Sequence, residues 1–571
     1  MIRTLTSAAL VAAIGLSLAS QRAEACGCFA PPDPTVPIVQ AGERILFAVE
    51  NGNVTAHIQI QYSGDAKDFG WLLPLPSQPT LKLGTEELFT QLINTTQPRY
   101  FVNTTTNGNC NGLFFGALAS RATPAFAAGA AEDANGGAVS PLVTQASIGP
   151  YDYAVLRADS KDLMFQWLTD NHYFIPTGTD QTVGPYIHAG GFFLALKLKS
   201  GMSAGDIQPV VLEYKSDLPM IPIILTSVAA NPNMGIQVWM LGNGRAIPRN
   251  YNHVVVNDAQ IDWLNQAKNY NDVVIAAVGE APEKHAFVTE YAGTSAIMRN
   301  LLNAPNRFGN TTALAQLTDP TAYVSFLFDN GFTAAQLNPN NMGFSFFAPT
   351  LLPNVRDIMI AAIPMPEGLK AAGIKEDDFL RQIATYLSPD YRQMHPDQFT
   401  GWVQTFDPQA TTAKLNEKVI GPTLEAGSIF NRFPTMTRLY TTLSPEDMTR
   451  DPVFSYNPGL PEVSRDHTAN LKLECGLISG NAQTAAATLT TEQGWVFHLD
   501  NQGVPRDLQI GPAALRIETL REEGAPEILK DNQNLVRSKV GCSAGGLDLL
   551  GGLSALSVLG LLRRRRQAAA A

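Results

Sequence analysis

The sequence predicts an α+β protein, with a β-rich antiparallel N-terminal region, a more helical region after it, and a short β segment near the C-terminus. Three observations carry this. Apolar and polar side chains alternate strictly across residues 53–62, the period of a strand with one buried face. Residues 376–387 instead place Phe379, Leu380, Ile383 and Leu387 on one helical face. Hydrophobic residues make up 45% of the 571 and charged residues only 16%, so a sizeable core is available and global disorder is excluded.

Taken in order, residues 29–37 are proline-rich and extended. Residues 44–50 and 53–62 form a hairpin about Asn51-Gly52, a pair that accepts the positive φ of a type I′ turn. On the second strand Val54, Ala56, Ile58, Ile60 and Tyr62 face inward, while Thr55, His57, Gln59 and Gln61 face water. Residues 69–73 make a third strand, ended by Pro74 and Pro76. Thr85 N-caps a helix with Glu86 and Glu87 at its positive end and Leu88, Leu92 and Ile93 inward, and Pro98 closes it. Residues 107–150 are a Gly/Ala-rich insert pinned by Cys110. Strands follow at 151–158, 192–199, 209–214, 221–226 and 236–241, with a helix capped by Asp159 that buries Leu163, Trp167 and Leu168. Residues 291–430 turn helical, and Ser388-Pro389 stops the helix at 376–387. Ser444-Pro445-Glu446-Asp447 reads as another helix start. The domain plan is a β-rich domain at 26–290, a mainly helical region at 291–510 that returns to strands after about 465, and a partly ordered stalk at 511–540.

The two ends concern location. Residues 1–25 read as a signal peptide: Arg3, an apolar run at 8–19, and Ala23-Glu24-Ala25 before Cys26. Cleavage after Ala25 leaves Cys26 first, with lipidation of Cys26 as the rival reading. At the other end Gly541-Cys542 precedes an apolar stretch at 547–562 and the cluster Arg563, Arg564, Arg565 and Arg566. Sixteen helical residues rise about 24 Å, short of the ~30 Å hydrocarbon core, and four arginines stay on the cytoplasmic side. A Cys among small residues, a short hydrophobic helix and an Arg cluster resemble a MYXO-CTERM sorting signal. That resemblance implies export machinery and a C-terminal processing protease as partners, with anchoring through a modified Cys542; a plain membrane helix is the alternative. The whole chain has net charge −11, and the two ends carry +1 and +3, which leaves −15 between them. An acidic body excludes nucleic acid as the partner class.

Cys26, Cys28, Cys110 and Cys475 are the disulfide candidates in an oxidising compartment. Pairing Cys26 with Cys28 closes a very small ring. The expected arrangement is one bridge from that pair to Cys110 and another to Cys475. No second cysteine pair sits at metal-ligand spacing, so no metal or cofactor is expected.

The runs Ala41-Gly42-Glu43-Arg44-Ile45-Leu46-Phe47-Ala48-Val49, Val54 to Tyr62, and Phe69-Gly70-Trp71-Leu72-Leu73-Pro74-Leu75-Pro76 resemble the bacterial "domain of unknown function 2330" family. Residues 436–446 and Asp451-Pro452-Val453-Phe454 resemble it further along. The resemblance implies an exported surface protein and brings no catalytic residue with it.

No catalytic set assembles from the sequence. Gly201-Met202-Ser203-Ala204-Gly205 matches the nucleophile-elbow pattern, but a strand follows it where the mechanism needs a helix. His57 sits on a polar strand face, and His395 with Asp397, and Asp466 with His467, are near only in sequence. Trp71, Trp167, Trp239 and Trp263 read as core anchors. The leading expectation is an exported, surface-anchored, non-enzymatic binding or structural module with an unidentified surface partner. The alternatives are an exported hydrolase with a site assembled from distant residues, and a Cys-based metal or redox module.

Overall fold

The computed structural model describes residues 42–60, 69–108, 110–111, 140–173, 175, 178–200, 202, 207–334, 349–475, 480–481, 486–499 and 511–540. The two terminal signals, with Ala25, Cys26, Cys28, Gly541, Cys542 and Arg563 to Arg566, lie outside these residues. So do Tyr62 and most of the 107–150 insert and of the Gly201–Gly205 match.

The hairpin forms as its turn chemistry requires. Asn51 and Gly52 take φ of 53° and 72°, and Glu43–Glu50 pairs with Asn53–Ile60 from Glu43↔Ile60 to Glu50↔Asn53. It seeds a ten-stranded sheet whose order is Glu527–Asp531, Ala514–Thr519, Asn252–Val256, Ala286–Thr294, Thr435–Leu443, Met234–Gly242, Glu43–Glu50, Asn53–Ile60, Val210–Lys215 and Thr80–Leu83. The sheet is mixed, which corrects the antiparallel expectation. Glu43–Glu50 runs parallel to Met234–Gly242, and Asn252–Val256 runs parallel to Ala286–Thr294. Residues 511–540 are no stalk, because both strands from this segment complete one edge of the sheet.

Both faces of this sheet are covered. On one face Ile45, Phe47, Val54, Ala56, Ile58 and Leu212 pack against a four-stranded sheet ordered Gly70–Leu75, Phe192–Leu198, Tyr151–Arg157 and Leu142–Ile148. On the other, Leu46, Ala48, Trp239 and Leu241 pack against Leu88, Phe89 and Leu92 of helix Glu86–Thr96 and against Ala426, Ile429 and Phe430. Thr85 caps that helix through the Glu87 N–H, as expected. Pro74 does not end its strand. Gly70–Leu75 runs through it at the sheet edge, where a missing N–H is tolerated.

Short helices between Thr311 and Ile420 form their own core around Tyr323, Phe332, Phe379 and Leu415. They are inserted between Ala286–Thr294 and Thr435–Leu443, which pair directly in the sheet. A second four-stranded sheet, Val496–Leu499, Ala486–Thr490, Asp466–Glu474 and Arg99–Asn107, packs over helix Tyr270–Gly279.

Local chemistry decides the remaining differences. The expected strand at 221–226 is one helical turn, Ile223–Thr226, whose Ile224 N–H donates to Asp451 Oδ1 at 3.0 Å. Ser160, not Asp159, caps helix Lys161–Asp170, which turns Leu163 out to 41% exposure. The expected helix at 376–387 breaks at Gln382 into Glu376–Arg381 and Ile383–Tyr386. Ser388-Pro389 opens the next helix, with the Ser388 side chain accepting from the Tyr391 N–H. Ser444-Pro445 begins a 3₁₀ turn only, and the Ser444 hydroxyl accepts instead from Asn233. Among the described residues no helix is long and apolar enough to cross a membrane.

A cleft between two sheets with an unpaired carboxyl

Strand alternation places Glu43, Ile45 and Phe47 on one face of the first strand, towards the smaller sheet. The hairpin register sets Ile58 and Ala56 beside them. Trp71, Leu73 and Leu75 face them across the gap. The sheets leave two cavities, of about 290 Å³ and 380 Å³. Glu43, Ile58, Trp71, Leu73 and Pro222 line both, so the cavities adjoin. The first ends at Tyr186, His188, Ser216 and Val453; the second runs on to Leu168, Tyr173, Leu225 and Ala229.

The polar groups are few and specific. Glu43 Oε2 is buried and has no hydrogen-bond partner among the described residues. Burial, and then the nearby Asp451 charge, push its carboxyl up to about 7. Each oxygen of the Asp451 carboxylate has a donor: Oδ2 accepts from the Tyr186 hydroxyl at 2.7 Å and Oδ1 from the Ile224 N–H at 3.0 Å. Burial still raises it above the usual carboxylate range. Asn250 holds this corner, donating to the Asp451 carbonyl at 2.7 Å and accepting from the Val453 N–H at 2.8 Å. In the second cavity Tyr173 is 6% exposed and its hydroxyl also lacks a partner. An apolar interior with two unanswered polar atoms is the chemistry of a binding site for a molecule with a polar end.

The first cavity does hold a carboxyl, an imidazole and a hydroxyl, the set a hydrolase requires, but they are not assembled. Ser216 donates to the Leu218 carbonyl at 2.9 Å, and the exposed His188 ring lies against the Ala189 carbonyl. A triad-like order occurs elsewhere. Thr289 Oγ1 lies 3.0 Å from His253 Nε2, and His253 Nδ1 lies 3.2 Å from Glu518 Oε2. All three are buried on adjoining strands, Arg245 donates to Thr289 at 3.0 Å, and neither cavity includes any of them. The three side chains bond one another inside the sheet, and Arg245 Nε beside them is buried without a partner among the described residues.

The residues singled out from sequence fall elsewhere. His57 is 4% exposed, not wet, because the helical layer covers its face of the sheet; burial holds its pKa down at about 4. Gln59, on the same face, is buried against Arg44 and Glu86. His395 packs on Tyr391, away from any pairing with Asp397. His467 bonds Glu492 at 2.9 Å and stacks on Tyr100, not Asp466. Trp167, Trp239 and Trp263 are core residues, whereas Trp71 lines the cleft. Cys475 ends strand Asp466–Glu474, and its N–H donates to the Asn107 carbonyl at 2.8 Å. The short strand Cys110–Asn111 pairs with Gly480–Asn481 at the same end of the ladder. Among the described residues no group of His, Cys, Asp and Glu has the makings of a metal site.

Glu43, Asp451, Tyr173 and Tyr186 were not predictable as a group. The one signal was Glu43 itself, an acid in phase with Ile45 and Phe47 on an inward strand face.

The fold and cleft define a mixed α+β protein with an apolar, acid-tipped cavity between two packed sheets. The chain belongs to the family described as an uncharacterized protein conserved in bacteria (DUF2330), whose model matches residues 21–334. That span carries Glu43, Trp71, Tyr173 and most of the cleft; Asp451 and Val453 lie beyond it. No curated protein and no solved structure matches the chain.

Proposed function

We propose that this is an exported bacterial envelope protein whose cleft binds a small, mostly apolar molecule with a polar end, without turning it over. The observation that carries the binding reading is Glu43 Oε2, a buried, unpartnered carboxyl oxygen on a residue that lines both cavities beside Ile58, Leu73 and Trp71. A buried polar atom without a partner costs about 1–3 kcal/mol, and a ligand can recover that cost. The binding reading is favoured over hydrolysis because Ser216 and His188 bond away from each other. The export reading rests on the terminal sequence signals, and surface anchoring on Cys542 with the Arg563–Arg566 cluster. A Cys542→Ala variant is therefore expected to be misplaced on fractionation of the native host.

Titration with the neutral dye Nile red tests the binding reading. One saturable site per chain is expected. Ala229 is exposed at the rim of the second cavity, so Ala229→Trp blocks entry without touching the core. It should weaken the site at least tenfold with an unchanged melting temperature. No saturable site in the wild type, or equal binding by the variant, would overturn the reading.

A further inference from the structure

Resting on the cleft-binding reading, we propose that the ligand is an amphiphilic amine, with its hydrocarbon part between the sheets and its ammonium group against Glu43.

Neither cavity lining contains a lysine or an arginine. The acidic groups are Glu43, at the junction of both cavities, and Asp451, close enough to act on it electrostatically. Asp451 lines neither cavity, and its two oxygens accept from Tyr186 and Ile224, so what it contributes to the cleft is charge. Glu43 Oε2 has the charge and the free acceptor. An anionic head would bring a further negative charge towards both carboxylates in a low-dielectric space, where repulsion is strong. A neutral alcohol would satisfy the acceptor but not the charge. An ammonium does both, and a charge-assisted hydrogen bond is roughly twice as strong as a neutral one.

Tyr173 is an independent second observation. The residue lines the second cavity, which Tyr186 and His188 do not, and its hydroxyl is buried without a partner among the described residues. It offers a second polar contact, so the ligand carries an oxygen or nitrogen in addition to its amine. The remaining wall is mostly hydrocarbon, from Ile58, Leu73, Leu168 and Leu225, with Gln59, Thr179 and Thr226 as its other polar residues. Adjoining spaces of about 290 and 380 Å³ suit a body the size of a medium-chain lipid or a small polycyclic molecule.

Three probes of one length decide the matter: decylamine, decanol and decanoate, titrated calorimetrically into the wild-type protein at pH 8. Decylamine is expected to bind at least tenfold more tightly than decanol, and decanoate more weakly than either. Glu43→Gln should bring decylamine to the affinity of decanol and leave decanol within about twofold. If decanol binds and decylamine gains nothing over it, or decanoate binds as well, the amine assignment is wrong while the cleft stands. If none of the three binds, the cleft reading itself falls. The wild-type ranking decides even if Glu43→Gln fails to fold.

Discussion

The Asp451 carboxylate accepts a hydrogen bond from the Ile224 N–H at 3.0 Å, joining segments 227 residues apart. This contact turns 223–226 from the expected strand into a helical turn and sets Pro222 against the cleft. It also carries the negative charge that acts on Glu43.

Asp451→Ala leaves the Ile224 N–H and the Tyr186 hydroxyl without their acceptor. The expected loss is about 1–3 kcal/mol of stability, read by urea denaturation. Asp451→Asn keeps one acceptor oxygen and should lose less. Equal losses for the two variants would show that hydrogen bonding at this corner is immaterial.

A second relationship lies in the core of the large sheet. Arg438 and Glu290 are both fully buried and pair at 2.6 Å, with Tyr270 donating to the other Glu290 oxygen and the guanidinium over the Trp239 ring. Removing one partner strands a buried charge. Arg438→Met is expected to cost about 3–5 kcal/mol, and Arg438→Met with Glu290→Met distinctly less. A double variant that loses the sum of the two single losses would contradict this.

Glu43 predicts a pH dependence. Its carboxyl binds a proton more tightly in the folded chain than unfolded, being raised from 4.5 to about 7. Its contribution to stability is therefore full below about pH 4.5 and is lost as pH rises towards about 7. Glu43→Gln does not titrate, so its stability relative to wild type should rise between pH 4.5 and 8, by at most about 3 kcal/mol. Asp451, Tyr173, Tyr186, His188 and Tyr214 are the other titratable groups around it and are common to both proteins. A difference that stays flat across that range would show that Glu43 is not held in an apolar site.

The strands were legible in the sequence where one cause controlled them. Asn51-Gly52 fixed a turn, Thr85 fixed a cap, and the alternation from Val54 to Ile60 fixed a strand. What the alternation concealed was which polar face meets water. His57 and Gln59 look solvent-facing by period, yet helix Glu86–Thr96, together with a segment around Ala426 and Phe430 from far along the chain, covers their face of the sheet. The cleft was hidden for the same reason. Glu43 comes from the first strand, Tyr173 from a loop, and Asp451 from beyond the helical insertion, and only the fold brings them to one space.

Cysteine connectivity is a further consequence of register. Strand Arg99–Asn107 runs parallel to Asp466–Glu474, so Cys110 and Cys475 leave the same end of one ladder. A direct Cys110–Cys475 bridge is therefore expected over a bridge from Cys26 or Cys28 to either. Peptide mapping of the unreduced protein should recover the 110–475 pair, and a linked peptide joining residue 26 or 28 to residue 475 would contradict it.

The most direct measurement of the central claim is a crystal grown with 10-bromodecan-1-ol, in which the bromine is located by its anomalous signal. A peak is expected between the sheets, within the space bounded by Ile58, Leu73, Trp71 and Leu225. A peak confined to the outer surface, with both cavities empty of probe, would contradict it.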